Sequence, residues 1–268
     1  MLGRIPPILR GCILSGVSPL IAQDQPPSAA ASAPIATDRP SVTDSSIVVP
    51  AGSIQAENGF LENNTQGLRT LDGPETLIRF GLLSKTELRF YAPDYYYNEN
   101  TGPSNGAAPG SGFGDLAIGV KQQLGPTRHG FGVSVVAYVS FPTGAQAISS
   151  HGYDPALQVP WSHSLSSKWM LVGMLSLYWP TQGGKRNLTG EPTLLLDRQL
   201  MAPWDVFIEY AGDFSEHDGP RNLAHFGTTY KIRRAHQLDF HVGVGSNAGA
   251  TFHFFGFGYS FRIQAIRA

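Results

Sequence analysis

The chain has 268 residues, enough for one large domain or two small ones, with 15% charged residues, 11% aromatics and 31 glycines. Its formal net charge of −1 excludes the basic footprint of a nucleic-acid binder. It also lacks a run of about 18 apolar residues, which excludes a helical membrane protein but not a β-barrel, whose strands alternate faces.

Residues 1–22 have the order of a secretory signal peptide: Arg4 and Arg10, a short apolar run from Gly11 to Ala22, then polar Gln23-Asp24-Gln25. The lone cysteine, Cys12, lies in this segment, so the exported chain would carry no thiol for catalysis or metal binding. Residues 23–40 are rich in Pro, Ala and Ser and predict a mobile linker, with residues 23–52 together forming linker and lead-in. Residues 53–268 then read as one domain.

That domain divides into twelve segments of β character, each about the length a tilted strand needs to cross a bilayer. They are Ile54–Glu62, Glu75–Leu83, Lys85–Ala92, Phe113–Leu124, Phe131–Phe141 and Asp154–His163, then Trp169–Trp179, Pro192–Leu200, Trp204–Asp213, Ala224–Arg233, Gln237–Gly245 and Phe252–Ile263. The links after even-numbered segments are tight: Ser84, Gly125–Gly130, Ser164–Lys168, Met201–Pro203 and Arg234–His236. Those after odd-numbered segments are mostly longer: Asn63–Pro74, Pro93–Gly112, Pro142–Tyr153, Pro180–Glu191 and Phe214–Leu223, with Ser246–Thr251 the short exception. Sorting by parity is what an up-and-down transmembrane β-barrel requires, with short periplasmic turns and long outer loops. A soluble sandwich gives no reason for it.

Face chemistry points the same way. Leu238, Phe240, Val242 and Val244 alternate with Gln237, Asp239, His241 and Gly243, and Phe131, Val133, Val135, Ala137, Val139 and Phe141 form one face of their segment. In lipid such an apolar face needs no partner sheet, and the polar face lines the lumen. The tryptophans Trp161, Trp169, Trp179 and Trp204 fall near segment ends, where interfacial belts form.

The last segment contains Gly256-Phe257-Gly258-Tyr259-Ser260-Phe261, in which Gly256, Tyr259 and Phe261 resemble the C-terminal signal read by outer-membrane assembly machinery. Motifs elsewhere extend the resemblance. Thr37-Asp38-Arg39-Pro40, Val49-Pro50-Ala51-Gly52 and Glu57-Asn58-Gly59-Phe60 open it. Leu77-Ile78-Arg79-Phe80-Gly81, Thr86-Glu87-Leu88-Arg89, Gly112-Phe113-Gly114-Asp115, Gly119-Val120-Lys121, Phe141-Pro142-Thr143-Gly144, Phe207-Ile208-Glu209-Tyr210 and Gln237-Leu238-Asp239 follow in order. Together they resemble the phenol meta-pathway outer-membrane transporter family. The resemblance implies an all-β outer-membrane barrel of a Gram-negative bacterium that passes small solutes, with outer-membrane lipid, the assembly machinery and a small-molecule solute as partners and no cofactor.

Charges that face lipid are costly, so charged positions in the segments are assigned to the lumen. These are Glu57, Arg79, Glu87, Arg89, Asp115, Lys121, Glu209, Lys231, Asp239 and Arg262. They fit either a salt-bridged filling that stiffens a narrow barrel or a lining that selects solutes. Tyr95, Tyr96 and Tyr97, at the start of a long outer loop, are candidates for an aromatic rim or a mouth for aromatic solutes. An outer-rim hydrolase using Ser215, His217, Asp218 or His225 is the least favoured reading, because the eight histidines show no metal-ligand spacing. His163-Ser164 are neighbours on one strand and point apart. The chain is therefore expected to be a passive transporter or channel for small, apolar or aromatic solutes and not an enzyme. A non-transporting structural or surface-interaction barrel is the alternative. Whether the linker hangs free or enters the barrel is open at this level.

Overall fold

The computed structural model describes residues 33–102, 109–125, 130–217, 219–247 and 249–266. The expected signal peptide, the first part of the linker, His129 and Asp218 lie outside these residues.

The strands in chain order are β1 (Ser53–Thr65), β2 (Leu68–Gly73), β3 (Leu77–Leu83), β4 (Thr86–Tyr91), β5 (Tyr95–Asn100) and β6 (Gly112–Phe113). Next come β7 (Leu116–Gln123), β8 (Phe131–Phe141), β9 (Asp154–Ser164), β10 (Trp169–Tyr178), β11 (Thr181–Gln182) and β12 (Lys185–Arg186). The last are β13 (Thr189–Met201), β14 (Trp204–Ser215), β15 (Arg221–Arg233), β16 (His236–Asn247) and β17 (Ala250–Gln264). All but β11 and β12 form one antiparallel sheet, and β17 pairs with β1 along its whole length to close it. Closure removes the sheet edges that lipid could not satisfy. β2, β5 and β6 continue the lines of β3, β4 and β7 across short breaks, so the wall is a twelve-strand barrel.

The breaks correct two expected loops. Asn63–Pro74 and Pro93–Gly112 are expected as long outer loops, yet β1 runs on to Thr65, β2 pairs with it, and β5 pairs with β2. Pro74 and Pro93 mark the breaks, because proline cannot donate to a ladder. Below the breaks β1 pairs with β3 instead, from Ile54↔Phe80 to Glu57↔Leu77.

Inward and outward residues alternate along the strands. In β16, Gln237, Asp239, His241 and Gly243 are buried, while Leu238, Phe240, Val242 and Val244 are exposed on the outside. The outer surface is thus the apolar one, the reverse of a soluble domain. At the short-turn end, the Trp161 indole lies where a Cβ on Gly173 would stand, and stacks with Phe131 at 6.2 Å. Trp169 there carries the Arg198 guanidinium 4.9 Å from its ring centre, and Trp204 Nε1 donates to Thr228 Oγ1 at 2.6 Å. At the opposite end Tyr95 meets Phe113 edge-on at 5.2 Å and Phe141 meets Tyr153 at 5.8 Å. These amphipathic rings bracket the apolar band. Phe240→Arg, in the middle of that band, is expected to cost about 2–4 kcal/mol. Denaturant unfolding in phospholipid vesicles, followed by tryptophan fluorescence, would measure it; a neutral effect would mean that this face does not meet lipid.

Candidate functional site: a plugged lumen

The lumen is occupied by the segment before β1. Residues 33–52, expected to form a mobile linker and lead-in, instead enter the barrel and return. The Ile35 N–H donates to Arg234 O, on a short turn, at 2.7 Å, and Arg262 donates to Ala33 O. The chain bends at Arg39-Pro40, then descends past β14 and β13, β8 and β4 to Pro50. Ile35, Asp38, Thr43, Ser46, Val48 and Val49 are all buried. A segment this poor in large apolar side chains has no core of its own. It is ordered because the wall satisfies its backbone, which would otherwise lose its hydrogen bonds to water.

Carboxylates on inward strand positions accept from the plug backbone. Glu57 Oε2 takes the Asp38 and Arg39 N–H groups at 2.8 and 3.0 Å. Glu87 Oε2 takes Val49 N–H at 2.7 Å. Glu209 takes Val42 and Thr43 N–H at 3.0 and 2.7 Å and the Thr43 hydroxyl at 2.5 Å. Charge-assisted bonds of this kind are among the stronger ones available.

The cations complete the belt. Arg79 forks between Glu57 (2.9 Å) and Glu87 (2.8 and 2.9 Å), and also donates to Ala36 O and Ile47 O on the two limbs of the plug. Asp38 of the plug accepts from Arg89 at 2.7 Å and Lys121 at 3.1 Å, and Asp44 meets Arg89 at 3.1 Å. Three cations thus face four carboxylates within one network. Arg79, Glu57, Glu87 and Lys121 have no solvent exposure, so each charge is tolerated by its partners rather than by water. Arg39 reaches across to Glu75 and to Asp239. Its guanidinium passes so close to the wall that a Cβ on Gly59 would stand 2.1 Å from Arg39 Cζ, and one on Gly258 2.7 Å from Nε. Those two glycines make room for the plug.

Beyond the plug, toward the long loops, the lumen turns aromatic. His225 Nδ1 shares a hydrogen bond with Glu209 at 2.6 Å, and its Nε2 with His241 Nδ1 at 2.9 Å. Phe254 packs edge-on against both rings, and Phe252, Leu223 and Ala211 join it with Val42 of the plug and Leu61 of β1.

Of the residues singled out from the sequence, Glu57, Arg79, Glu87, Arg89, Lys121, Glu209 and Asp239 meet the plug or one another in the lumen. Arg262 faces inward at the plug's entry, and Lys231 pairs with Asp205 nearer the short-turn end. Asp115 falls in the break between β6 and β7, where it accepts from the N–H groups of Gly144 (2.8 Å) and Ser150 (3.0 Å) and ties down the loop after β8.

The tyrosines belong to a strand and not to a free loop: Tyr95 and Tyr97 are exposed on one face of β5, and Tyr96 lies on the other face. Gly256 lies inward beneath His241, while Tyr259 points outward to His236 and stacks on Phe261. Of the hydrolase candidates, Asp218 lies outside the described residues, His225 is engaged in the lumen, and the Ser215 hydroxyl accepts from the His217 N–H at 3.4 Å and from Asn187 at 2.6 Å in an outer loop. Among the described residues, no group of three or more His, Cys, Asp or Glu side chains is placed to hold a metal ion. Sequence reasoning missed Asp38, Thr43, Asp44 and His241. The available signal was Thr37-Asp38-Arg39-Pro40, a charged motif inside an otherwise bland linker.

A closed twelve-strand transmembrane barrel with an internal plug defines the class of this protein. The chain belongs to the MetA-pathway of phenol degradation family, whose model matches residues 37–263. No curated protein matches it by sequence. Among solved structures it is similar to an outer membrane channel from Pseudomonas putida F1, with 13% identity, 81% of this chain and 97% of the other covered, and a TM-score of 0.64. It is also similar to the NanC porin (8% identity, 78% and 100% covered, TM-score 0.55) and to the KdgM porin (10%, 76% and 99%, 0.51). At these identities the likeness is one of fold.

Proposed function

We propose that the protein is a passive outer-membrane conduit for small apolar or aromatic solutes. Its N-terminal residues 1–22 direct export and are cleaved, and Gly256, Tyr259 and Phe261 on β17 are read by the assembly machinery. The short turns then face the periplasm. The observation that carries this reading is the state of the lumen charges. They are consumed in holding the plug and one another, so they do not form the water-exposed charged ring of a hydrophilic pore. What the plug leaves free is bounded on one side by the apolar Met170, Val172, Leu195 and Phe207, and on another by Asp197, Asp205 and Lys231. The family description and the channel and porin names of the structural relatives agree with a transport role.

The same paired charges favour a second reading, a rigid barrel that transports nothing. Flux into proteoliposomes decides between them. The conduit reading expects a small aromatic alcohol to enter faster than a sugar of similar size. No entry of either would leave the structural reading.

A further inference from the structure

Between the plug and the wall, toward the short-turn end, lies a recess of about 220 Å³. A dry apolar cavity of roughly 150 Å³ is enough for benzene, so this one takes a six-membered ring with a short substituent. One side is apolar: Val172, Leu195 and Phe207 are buried inward positions of β10, β13 and β14.

The polar side has an unbalanced charge. Lys231 is paired with Asp205. Asp197 also lines the recess, from β13; it is opposite Phe207 in register and therefore diagonal to Asp205. Arg39 lines the recess too, but its guanidinium is engaged by Glu75 and Asp239. The hydroxyls of Thr37, Thr43 and Ser46 already bond Gln237, Glu209 and Ser162. Two carboxylates thus share one ammonium at the head of an apolar slot.

Resting on the conduit reading above, we infer that this recess is a binding site for a small amphipathic cation, a primary amine carried on a ring or short apolar body. The ammonium sits at Asp197 and the body lies against Val172, Leu195 and Phe207. A charge-assisted bond in a partly enclosed slot favours the amine over an isosteric alcohol by about tenfold.

The test uses the full-length barrel in lipid nanodiscs near neutral pH, with benzylamine and benzyl alcohol titrated calorimetrically. Benzylamine is expected to bind about tenfold more tightly. Asp197→Asn should level the two probes, and Leu195→Trp, which fills the slot, should weaken both. Heat-modifiable gel migration would verify that each variant is folded. Equal affinities in the parent protein, or a preference that survives Asp197→Asn, would overturn the assignment. Flux is measured separately, in proteoliposomes. Selective binding without flux sinks the conduit and leaves the recess. Flux without amine preference sinks the recess and leaves the conduit.

Discussion

Excision of residues 35–50 is expected to raise single-channel conductance on the order of tenfold, because the plug and not the wall is what closes the lumen. A twelve-strand barrel is intermediate between small barrels filled by their own side chains and porins with aqueous channels. Here the inward side chains of the short-turn half reach the plug rather than one another across the lumen: Glu57, Glu87 and Glu209 all end on its backbone. With the plug gone, water takes those bonds. The wall retains buried Glu57, Glu87, Glu191, Glu209 and Asp239 against Arg79, Arg89, Lys121 and Arg262, one formal negative charge in excess. Asp197 and Asp205 against Lys231 add one net negative charge, so a weak preference for cations should accompany the opening. The barrel itself should survive, since β1–β17 pairing and the outer apolar face owe nothing to the plug. Planar-bilayer recording on the two proteins is the measurement. An unchanged conductance would place the closure in the aromatic half, at Phe252, Phe254, His225 and His241.

The parts of this architecture that were legible in the sequence are those with a local period. Side-chain alternation in a strand repeats every two residues, so Gln237–Gly245 declares its faces without reference to its neighbours. Inward charges were legible for the same reason, because lipid forbids the other face. What those charges bind was not legible. Thr37 meets Gln237 across 200 positions of sequence, and the plug's composition is that of a segment that cannot fold alone. It orders on a surface built by the rest of the chain. The hold of Asp115 on the loop after β8 was not legible either, because alternation fails where a strand breaks, and Gly114-Asp115 is such a break. The Tyr95–Asn100 strand was hidden because its partner, Leu68–Gly73, lay in a stretch also read as a loop, and β propensity depends on a partner. The His225–His241 contact required the β15–β16 register, which sets His225 opposite Gly243 and Gly227 opposite His241.

Arg79→Met is expected to be the most damaging single substitution in the belt, at about 3–5 kcal/mol. Among the described residues, Arg79 is the one side chain that bonds Glu57, Glu87 and both limbs of the plug, through Ala36 O and Ile47 O. Methionine conserves much of its length but leaves Asp38, Asp44, Glu57 and Glu87 with Arg89 and Lys121 alone. Two uncompensated charges then remain in a region that has no access to water. Removing one partner of a buried network costs more than the network contributes, because the stranded charge loses its solvation as well. Arg79→Lys keeps the charge but not the fork, and one ammonium cannot reach both carboxylates and both carbonyls, so it should fall in between, at about 1–2 kcal/mol. Denaturant unfolding in vesicles ranks the three proteins. Conductance separates two ways of failing: a plug that has left, with a barrel still folded, opens the channel, whereas a collapsed barrel gives none. If Arg79→Met were within 1 kcal/mol of the parent protein, water would already reach the belt, and the plug would be held by its backbone bonds to Glu57, Glu87 and Glu209 alone.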